Sequence, residues 1–422
     1  MELVIIGIGV LTFLAHLFAA LFEKTRVPDV VPLVLLGLAV GPVFGLVGPA
    51  AFGKIGGVFT TLALVIILFQ GGLGLNFAAL RDSVGQGSRL TFVNFILSAA
   101  VVGPLAHALL GLGWLESFMA GSIVGGTSSA VVIPMVAKLR LQERTRTALF
   151  LESAFSDVLC IIVTLALLQS VRSNELRPGI MAGQIISSFT MASVIGSVGA
   201  VFWSNILARV RELENSLFMT PAFVCIVFGL AELLGFSGAI AALAFGIVLG
   251  NVDTLARLKM PGPLFSRLKP VELNKTEEAL FAEIVFLLKT FFFVYIGLSM
   301  QFTHMYTVLA GLGLTAALFL TRVAVVRWSL SPSTSRSDAS LAAVMTPKGL
   351  AAAVLAAMPL QAGVASGAVI QDMVYAVVLF SIGATTLLTF LLERGSISKP
   401  YAAALSNFAP DEGVLEVRLE GR

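Results

Sequence analysis

The chain alternates long apolar runs with short polar stretches along nearly its whole length. A helix that crosses a lipid bilayer needs about 20 mostly apolar residues. The runs lack the regular apolar–polar alternation of strands in an outer-membrane barrel, so they predict long helices. We predict thirteen membrane spans, at residues 2–22, 29–48, 55–73, 90–111, 114–137, 146–170, 180–208, 217–235, 237–250, 278–299, 305–328, 339–360 and 369–392.

Composition agrees with this pattern and limits the protein's class. Hydrophobic residues make up 57% of the chain and charged residues 12%, whereas soluble domains are about 25% charged. We expect an all-α polytopic membrane domain at 1–394 and a short cytoplasmic tail at 395–422. The tail is too small to bury its own core. We expect a disordered end, with a strand of a cytoplasmic regulatory domain at 414–419 as the alternative. The small net charge of +3 follows the loops, so no nucleic-acid partner is indicated.

The distribution of basic residues predicts the orientation of the spans. Cytoplasmic loops of membrane proteins are enriched in Lys and Arg. If the N-terminus lies outside, most loop Lys and Arg fall inside, and only Lys54, Arg172 and Arg177 fall in the outside loops. We therefore expect the N-terminus outside and the C-terminus in the cytoplasm.

Three short motifs recur in the same order, seven predicted spans apart. The pairs are 37–41 with 246–250, 72–77 with 297–302, and 127–130 with 346–349. Because seven is odd, the two copies would cross the membrane in opposite directions. This predicts inverted-topology repeats, an arrangement found in secondary transporters.

The fifth and twelfth predicted spans contain residues that interrupt helices. Residues 121–134 combine adjacent glycines, several hydroxyl side chains and a proline, and 345–349 reads Met-Thr-Pro-Lys-Gly. Glycine and proline are poor helix formers, so we predict two broken helices. Their freed carbonyls and opposed helix ends can face an ion. Close packing of helices through small residues is the alternative.

A small set of charged side chains lies inside the predicted spans. The set is Glu152, Asp157, Glu283, Lys289, Arg322 and Lys348. At 1.5 Å per helical residue, Glu152, Glu283 and Arg322 lie roughly 10 Å from the cytoplasmic end of their spans. An unpaired buried Arg is very costly. We therefore expect Arg322 to form a structural ion pair with Glu152 or Glu283.

Asp157 lies deeper, roughly 17 Å from the cytoplasmic end. A carboxylate at this depth costs a few kcal/mol and most often marks an ion or proton path. Ser153 shares its helix face, and such oxygen ligands suit a hard cation. Burial favours the protonated form of a carboxylate, so a cation and a proton would compete for Asp157. Exchange of one for the other would then move no net charge. The alternative is a permanent ion pair of Asp157 with Lys289 or Lys348.

These residues resemble the monovalent cation:proton antiporter superfamily over about 25–392. The sequence at 152–157, Glu-Ser-Ala-Phe-Ser-Asp, is similar to that family's Glu-Ser-x-x-Asn-Asp ion-binding motif. Segments at 25–42, 69–73, 291–297 and 346–349 also fit. The resemblance implies exchange of Na⁺ or K⁺ for H⁺ by alternating access, without a cofactor. It also implies a homodimer in the bacterial inner membrane.

The resemblance also implies roles for individual residues. Asp157 would bind the cation and the proton, Ser153 would be a ligand, and Glu152 would pair with Arg322. Thr127 would contribute to the site from two crossed, unwound helices. The remaining candidates for the ion and proton site are Ser128 and Ser156, and the candidate modulators are Gln70, Glu283, Lys289 and Lys348. The chain has Ser156 where the family has Asn or Asp, and Gln70 where Glu is common. With one acid at positions 156–157, we expect electroneutral exchange. If Lys289 gained and lost a proton during the cycle, exchange would instead be electrogenic.

Two other functions are alternatives to exchange. A passive cation channel needs a continuous pore and no proton coupling. An intramembrane serine protease is the second, because 235–238 reads Gly-Phe-Ser-Gly. Ser237 would then need His107 or His304 within hydrogen-bond reach.

Overall fold

The structure is a computed structural model that describes residues 2–25, 30–46, 48, 53–75, 77–173, 178–210, 218–252, 254, 275–300 and 305–411. The described residues form helices and connecting turns, and their one β feature is an isolated bridge between Ser335 and Ala409. The predicted all-α class is confirmed.

Sixteen helices follow one another along the described chain. They are α1 Glu2–Thr25, α2 Val30–Leu38, α3 Gly53–Leu73, α4 Phe77–Leu110, α5 Trp114–Ile123, α6 Ser129–Lys138, α7 Glu143–Ser173, α8 Pro178–Val210, α9 Met219–Leu233, α10 Gly238–Gly250, α11 Lys275–Ser299, α12 Met305–Ser329, α13 Arg336–Val344, α14 Leu350–Gln361, α15 Gly367–Glu393 and α16 Ser398–Ala404. A π-helical turn, Ala39–Val43, continues α2.

The predicted spans coincide with these helices, with one large difference in length. Helix α4 begins at Phe77 and not at residue 90, because the polar residues before the apolar run continue the same helix. Six helical segments among the described residues are long and apolar enough to cross a bilayer. They are Ser83–Leu110, Glu143–Leu168, Ile186–Leu207, Ala279–Ser299, Met305–Ser329 and Gly367–Glu393. The total of thirteen spans stays a prediction.

The chain divides into two compact units. Unit 1 comprises Met1–Ala20, Pro32–Asp82 and Asp157–Gln301. Unit 2 comprises Leu21–Val31, Ser83–Ser156 and Phe302–Arg422. Helix α7 contributes to both, since the assignment changes between Ser156 and Asp157.

Within unit 1, glycines of the recurring motifs bring helix backbones into contact. A Cβ built at Gly250 of α10 would lie 2.5 Å from the Leu73 carbonyl oxygen of α3. In the same way, a Cβ at Gly41 would lie 2.9 Å from the Leu298 side chain of α11. Each Gly-x-x-x-Gly segment therefore packs against one of the two segments that form the second motif pair. This reciprocal pairing supports the predicted internal repeat.

The core of unit 1 is aromatic and lies beside this contact. Phe69 of α3 is fully buried, and its ring centroid is 5.7 Å from those of Phe245 and Phe281. Trp203 of α8 stacks on Phe223 of α9 at 4.6 Å. Offset and edge-on ring pairs of this kind add to the burial of apolar area, so α3, α8, α9, α10 and α11 share one core.

Unit 2 contains both halves of the fifth and twelfth predicted spans. Helix α15 packs against α12, α13, α14 and α5. Close approach again depends on small residues: a Cβ at Gly121 of α5 would lie 3.0 Å from the Ala99 carbonyl oxygen of α4. One at Gly311 would lie 2.6 Å from the Ala376 side chain.

The described part of the tail binds to the start of α13. The Arg336 N–H donates to the Ala409 carbonyl (2.9 Å), and the Ser337 N–H donates to an Asp411 carboxylate oxygen (2.9 Å). Leu405 and Phe408 are buried. Up to Asp411 the tail therefore packs against the rest of unit 2, and the disordered end expected for the chain stays a prediction. The strand considered at 414–419 lies outside the described residues.

Asp338, just before the predicted twelfth span, links this segment to the start of α7. Its carboxylate accepts a hydrogen bond from the Gln142 N–H at 3.1 Å. Burial is the largest influence on this carboxyl and raises its pKa above the ordinary 3.8, against hydrogen bonds that lower it. Because folding then favours the protonated form, the stabilisation from this group is complete below pH 3.8 and is lost as pH rises through the raised pKa.

The glycine contacts of unit 1 predict a difference between two Gly→Ala substitutions. A Cβ at Gly72 of α3 would lie 2.5 Å from the Leu243 carbonyl oxygen, whereas one at Gly229 of α9 meets nothing within 4 Å. Alanine gains about 1 kcal/mol of helix propensity at an unobstructed site. We expect Gly229→Ala to keep or raise the melting temperature in detergent and Gly72→Ala to lower it. Equal melting temperatures for the two variants would contradict this packing.

Candidate functional site

Two interrupted helices form the centre of unit 2. The first interruption, which we call break 1, comprises residues 124–128 between α5 and α6. The second, break 2, comprises residues 345–349 between α13 and α14. Both are fully buried. The two predicted broken helices are therefore present, although Pro134 lies inside α6 and not in the interruption.

The carbonyl groups freed by break 1 receive hydrogen bonds from three different parts of unit 2. Asn94 Nδ2 of α4 donates to the Gly125 oxygen (3.2 Å), and Lys348 Nζ donates to the Gly126 oxygen (2.7 Å). Ser156 Oγ of α7 donates to the Thr127 oxygen (3.2 Å). Buried backbone groups need such partners because an unpaired one costs about as much as a lost hydrogen bond.

The two breaks cross in direct contact. The Ser128 N–H donates to the Pro347 carbonyl oxygen at 2.8 Å. A Cβ built at Gly349 would overlap Ser128 Oγ and lie 2.7 Å from Ser128 Cβ, so only glycine fits this crossing. The Lys348 N–H in turn donates to Ser381 Oγ of α15 (2.9 Å). The crossing is thus fixed by backbone groups and by close approach.

Helix α7 presents the predicted ion-binding side chains. Ser153 is fully buried and donates to the Phe150 carbonyl of its own helix (2.9 Å), which leaves its oxygen lone pairs available as an acceptor. Ser156 Oγ accepts the Thr127 N–H (3.0 Å). Asp157 follows on the same helix, lies four residues after Ser153, and is 5% exposed.

The position of Ser156 suits holding break 1 in place more than binding the ion. Its hydroxyl lies 3.0–3.4 Å from the N–H, carbonyl and hydroxyl of Thr127. It therefore ties break 1 to α7 by accepting the Thr127 N–H, while its one proton is shared between the carbonyls of Thr127 (3.2 Å) and of Ser153 on its own helix (3.1 Å). Ser128 Oγ, in contrast, is buried without a hydrogen-bond partner among the described residues. Of the two, Ser128 has the freer oxygen to offer a cation.

Glu152 and Arg322 form a buried ion pair. Nη2 of Arg322 donates to Oε2 of Glu152 at 2.7 Å, Nη1 donates to Oε1, and Nε donates to the Ala342 carbonyl at 3.1 Å. Two parallel bonds to one carboxylate are the strongest geometry available to arginine. The side chain considered as the alternative partner, Glu283, is exposed on α11.

The other candidate modulators take different positions. Lys289 of α11 is buried, and its Nζ lies 6.0 Å from the Phe286 ring centroid, within range of a cation–π contact. Gln70 is half-buried near the end of α3. The Lys348 ammonium donates to Thr346 Oγ1 (3.2 Å) as well as to Gly126. Its positive charge therefore lies at the carbonyl end of α5, where a helix dipole favours a cation.

The Gly-Phe-Ser-Gly sequence at 235–238 caps a helix. Gly235 has φ +79°, and Ser237 is the N-cap of α10, where its Oγ accepts the Ile240 N–H at 3.3 Å. Glu232 accepts the Gly238 N–H at 2.7 Å. His107 bonds the Leu112 carbonyl and stacks on Trp114, and His304 lies outside the described residues. Capping of α10 thus accounts for the motif without a catalytic role.

Sequence reasoning missed two residues that bond the breaks. Asn94 and Ser381 are polar side chains inside apolar spans and were not singled out, although both are buried. Ser83, Thr91, Asn94 and Ser98 recur at helical spacing along α4, which is a signal that one face of this helix is polar. No comparable signal marks Ser381 as a partner of break 2.

The family model described as sodium/hydrogen exchanger, transmembrane, matches residues 9–394. Among curated relatives, the K(+)/H(+) antiporter NhaP2 of Shewanella oneidensis is 27% identical over 237 residues, which cover 54% of this chain and 41% of that protein. Na(+)/H(+) antiporter 1 of Methanocaldococcus jannaschii is 25% identical over 257 residues, covering 58% of this chain and 59% of that protein. The chain thus matches about half the length of these relatives.

The fold is also similar to a solved structure. The sodium proton antiporter MjNhaP1 from Methanocaldococcus jannaschii, at pH 8, superposes with a TM-score of 0.70 at 23% identity. The match covers 96% of this chain and all of that one. At this identity the likeness establishes the fold.

The buried ion pair predicts the result of removing one partner. Glu152→Gln leaves Arg322 charged and buried without its carboxylate, which costs about 3–5 kcal/mol. We expect a clearly lower melting temperature, and substantial recovery in the double variant Glu152→Leu, Arg322→Met. As the control, Glu143→Gln breaks an exposed pair with Arg146, worth about 0–1 kcal/mol. Equal melting temperatures for Glu152→Gln and Glu143→Gln would show that the buried pair is not structural.

Proposed function

Because the chain belongs to the sodium/hydrogen exchanger family, we propose that it exchanges a monovalent cation, Na⁺ or K⁺, for H⁺ across the membrane. The observation that carries this proposal is the buried carboxylate of Asp157, which directly follows the residue that bonds break 1. The names of the relatives cover both cations: a K(+)/H(+) antiporter and a Na(+)/H(+) antiporter.

The oxygens on α7 and in break 1 provide the proposed ligands. Asp157 supplies the negative charge, and Ser153 shares its helix face one turn earlier. Thr127 and Ser128 supply hydroxyl oxygens from break 1, and Ser156 holds Thr127 beside α7. Alkali cations are hard and favour oxygen ligands, as Ca²⁺ and Mg²⁺ do. In this assignment Ser156 positions the site more than it binds the ion.

Competition at Asp157 couples the two ions. A charged carboxylate inside the membrane is costly, and either a cation or a proton neutralises it. We propose that only the neutralised site moves between access to one side and access to the other. Each complete cycle then carries a cation in one direction and a proton in the other.

One acid at the site predicts that one cation exchanges for one proton, with no net movement of charge. Lys289 is the residue that would change this stoichiometry. If its ammonium released a proton during each cycle, exchange would become electrogenic. Ser156 is uncharged, so Asp157 supplies the one acid at this pair of positions, which supports electroneutral exchange.

Several further expectations come from the family resemblance. We propose that the protein is a homodimer in the bacterial inner membrane, with its N-terminus outside and its C-terminus in the cytoplasm. The excess of basic residues in the predicted cytoplasmic loops supports the orientation. We also propose a cytoplasmic regulatory domain or subunit as a partner.

A passive cation channel is the alternative to exchange. A channel conducts cations without moving protons. In vesicles with an imposed pH gradient, an exchanger lets added Na⁺, Li⁺ or K⁺ collapse the gradient without a voltage shunt, whereas a channel requires a separate proton pathway. Each of the three cations is tested in turn.

Asp157→Asn tests the assignment in the same vesicles. The amide keeps the shape but cannot carry the charge that cation and proton share, so we expect exchange to be lost for every cation while the variant still reaches the membrane. Asp372→Asn makes the same chemical change at another buried aspartate, on α15, and should keep activity. Full exchange by Asp157→Asn would rule out Asp157 as the shared site.

A further inference from the structure

The three carbonyls freed by break 1 accept hydrogen bonds from three donors, and one of these donors lies on a helix that is not part of the proposed site. Lys348 and Ser156 were already candidates for the site, but the third donor, Asn94, belongs to α4, which carries no candidate ligand. We infer that Asn94 is a positioning residue for cation binding, acting through break 1. This inference rests on the proposed function.

The bond between Asn94 and break 1 satisfies two buried groups at once. The Asn94 side chain is 1% exposed, and its Nδ2 lies 3.2 Å from the Gly125 oxygen. A buried amide is costly without a partner, and so is a carbonyl released from its helix. The hydrogen bond removes the cost of burying either group alone. It therefore fixes the position of Gly125 relative to α4.

The next residue of α4 holds Gly125 by contact. A Cβ built at Gly125 would lie 2.8 Å from Cδ2 of Phe95. The Gly125 backbone therefore lies against the Phe95 ring while its oxygen accepts the Asn94 amide. Two successive side chains of α4 define where break 1 begins, through one polar and one apolar contact.

The position of Gly125 determines that of the proposed cation ligands. Gly125 lies two residues before Thr127, whose backbone is bonded to Ser156, and three before Ser128. A cation requires several oxygens at fixed distances, whereas a proton requires only the carboxylate of Asp157. Loss of the Asn94 bond should therefore weaken cation binding and leave proton binding nearly unchanged.

The test is Asn94→Leu, which keeps similar size and removes the donor. We expect a roughly tenfold higher apparent KM for the cation, as for the loss of one hydrogen bond to a buried acceptor, with a nearly unchanged maximal rate. At fixed cation concentration the pH of half-maximal exchange should move to a more alkaline value, because protons then compete more effectively. Asn94→Gln retains the amide donor and should lie closer to the wild type in both quantities.

Thr91→Val is the matched control. Thr91 is a buried polar residue of α4, one turn before Asn94, but its hydroxyl donates to the Gly87 carbonyl of its own helix at 2.8 Å. We expect its KM and pH profile to match the wild type. The same shift in Thr91→Val as in Asn94→Leu would assign the effect to general packing of α4 and overturn the inference.

Wild-type KM and pH profile in Asn94→Leu would also overturn the inference, as would a lower maximal rate with unchanged KM. If Asn94→Leu does not accumulate in membranes, Asn94→Ala is measured instead, with the same expected shifts and the same contradicting results. Asp157→Asn in parallel vesicles separates this inference from the proposed function. An active Asp157→Asn defeats the function itself, whereas an inactive Asp157→Asn with unaltered Asn94→Leu defeats only the role of Asn94.

Discussion

Interrupting a helix inside a membrane leaves backbone N–H and C=O groups without their helical partners, and the arrangement of unit 2 depends on meeting that need. The carbonyls of break 1 are bonded by Asn94, Lys348 and Ser156, and its Ser128 N–H is bonded by Pro347 of break 2. Each of these partners, donor or acceptor, comes from another helix or from the other break. The interruptions therefore connect the helices of unit 2, and the hydroxyl-bearing residues of break 1 are placed by the same bonds.

Buried charges in unit 2 have partners, as its buried backbone groups do. Arg322 and Glu152 neutralise each other in a fully buried bidentate pair, and the Lys348 ammonium lies against a freed carbonyl at the end of α5. Both arrangements fix charge in place, which is suited to structure and not to transport. Asp157 is the acid for which the family resemblance implies a transported ion. The proposed function rests on the family to which the chain belongs and on the burial of this carboxylate.

Much of this could be predicted from the sequence. Apolar runs locate helices because a bilayer requires them, and Gly-Gly and Pro-Lys-Gly inside two runs predict the breaks. Depth counting pairs Arg322 with an acid at its own level. The long start of α4 was missed because residues 77–89, which mix apolar and polar side chains, continue the helix beyond the apolar run. The contacts of Asn94 and Ser381 could not be predicted, because they depend on packing between segments far apart in sequence. The contacts of the tail could not be predicted either, because they include backbone hydrogen bonds, which almost any residue type can form.

The central claim is that cation and proton share one carboxylate. The most direct test measures the initial rate of cation-driven proton movement in vesicles, at several cation concentrations and over a series of external pH values, with internal pH held constant. Competition predicts an apparent KM for the cation that rises in proportion to proton concentration on the acid side, at a nearly constant maximal rate. An apparent KM independent of pH would contradict the claim, since the two ions would then occupy separate sites.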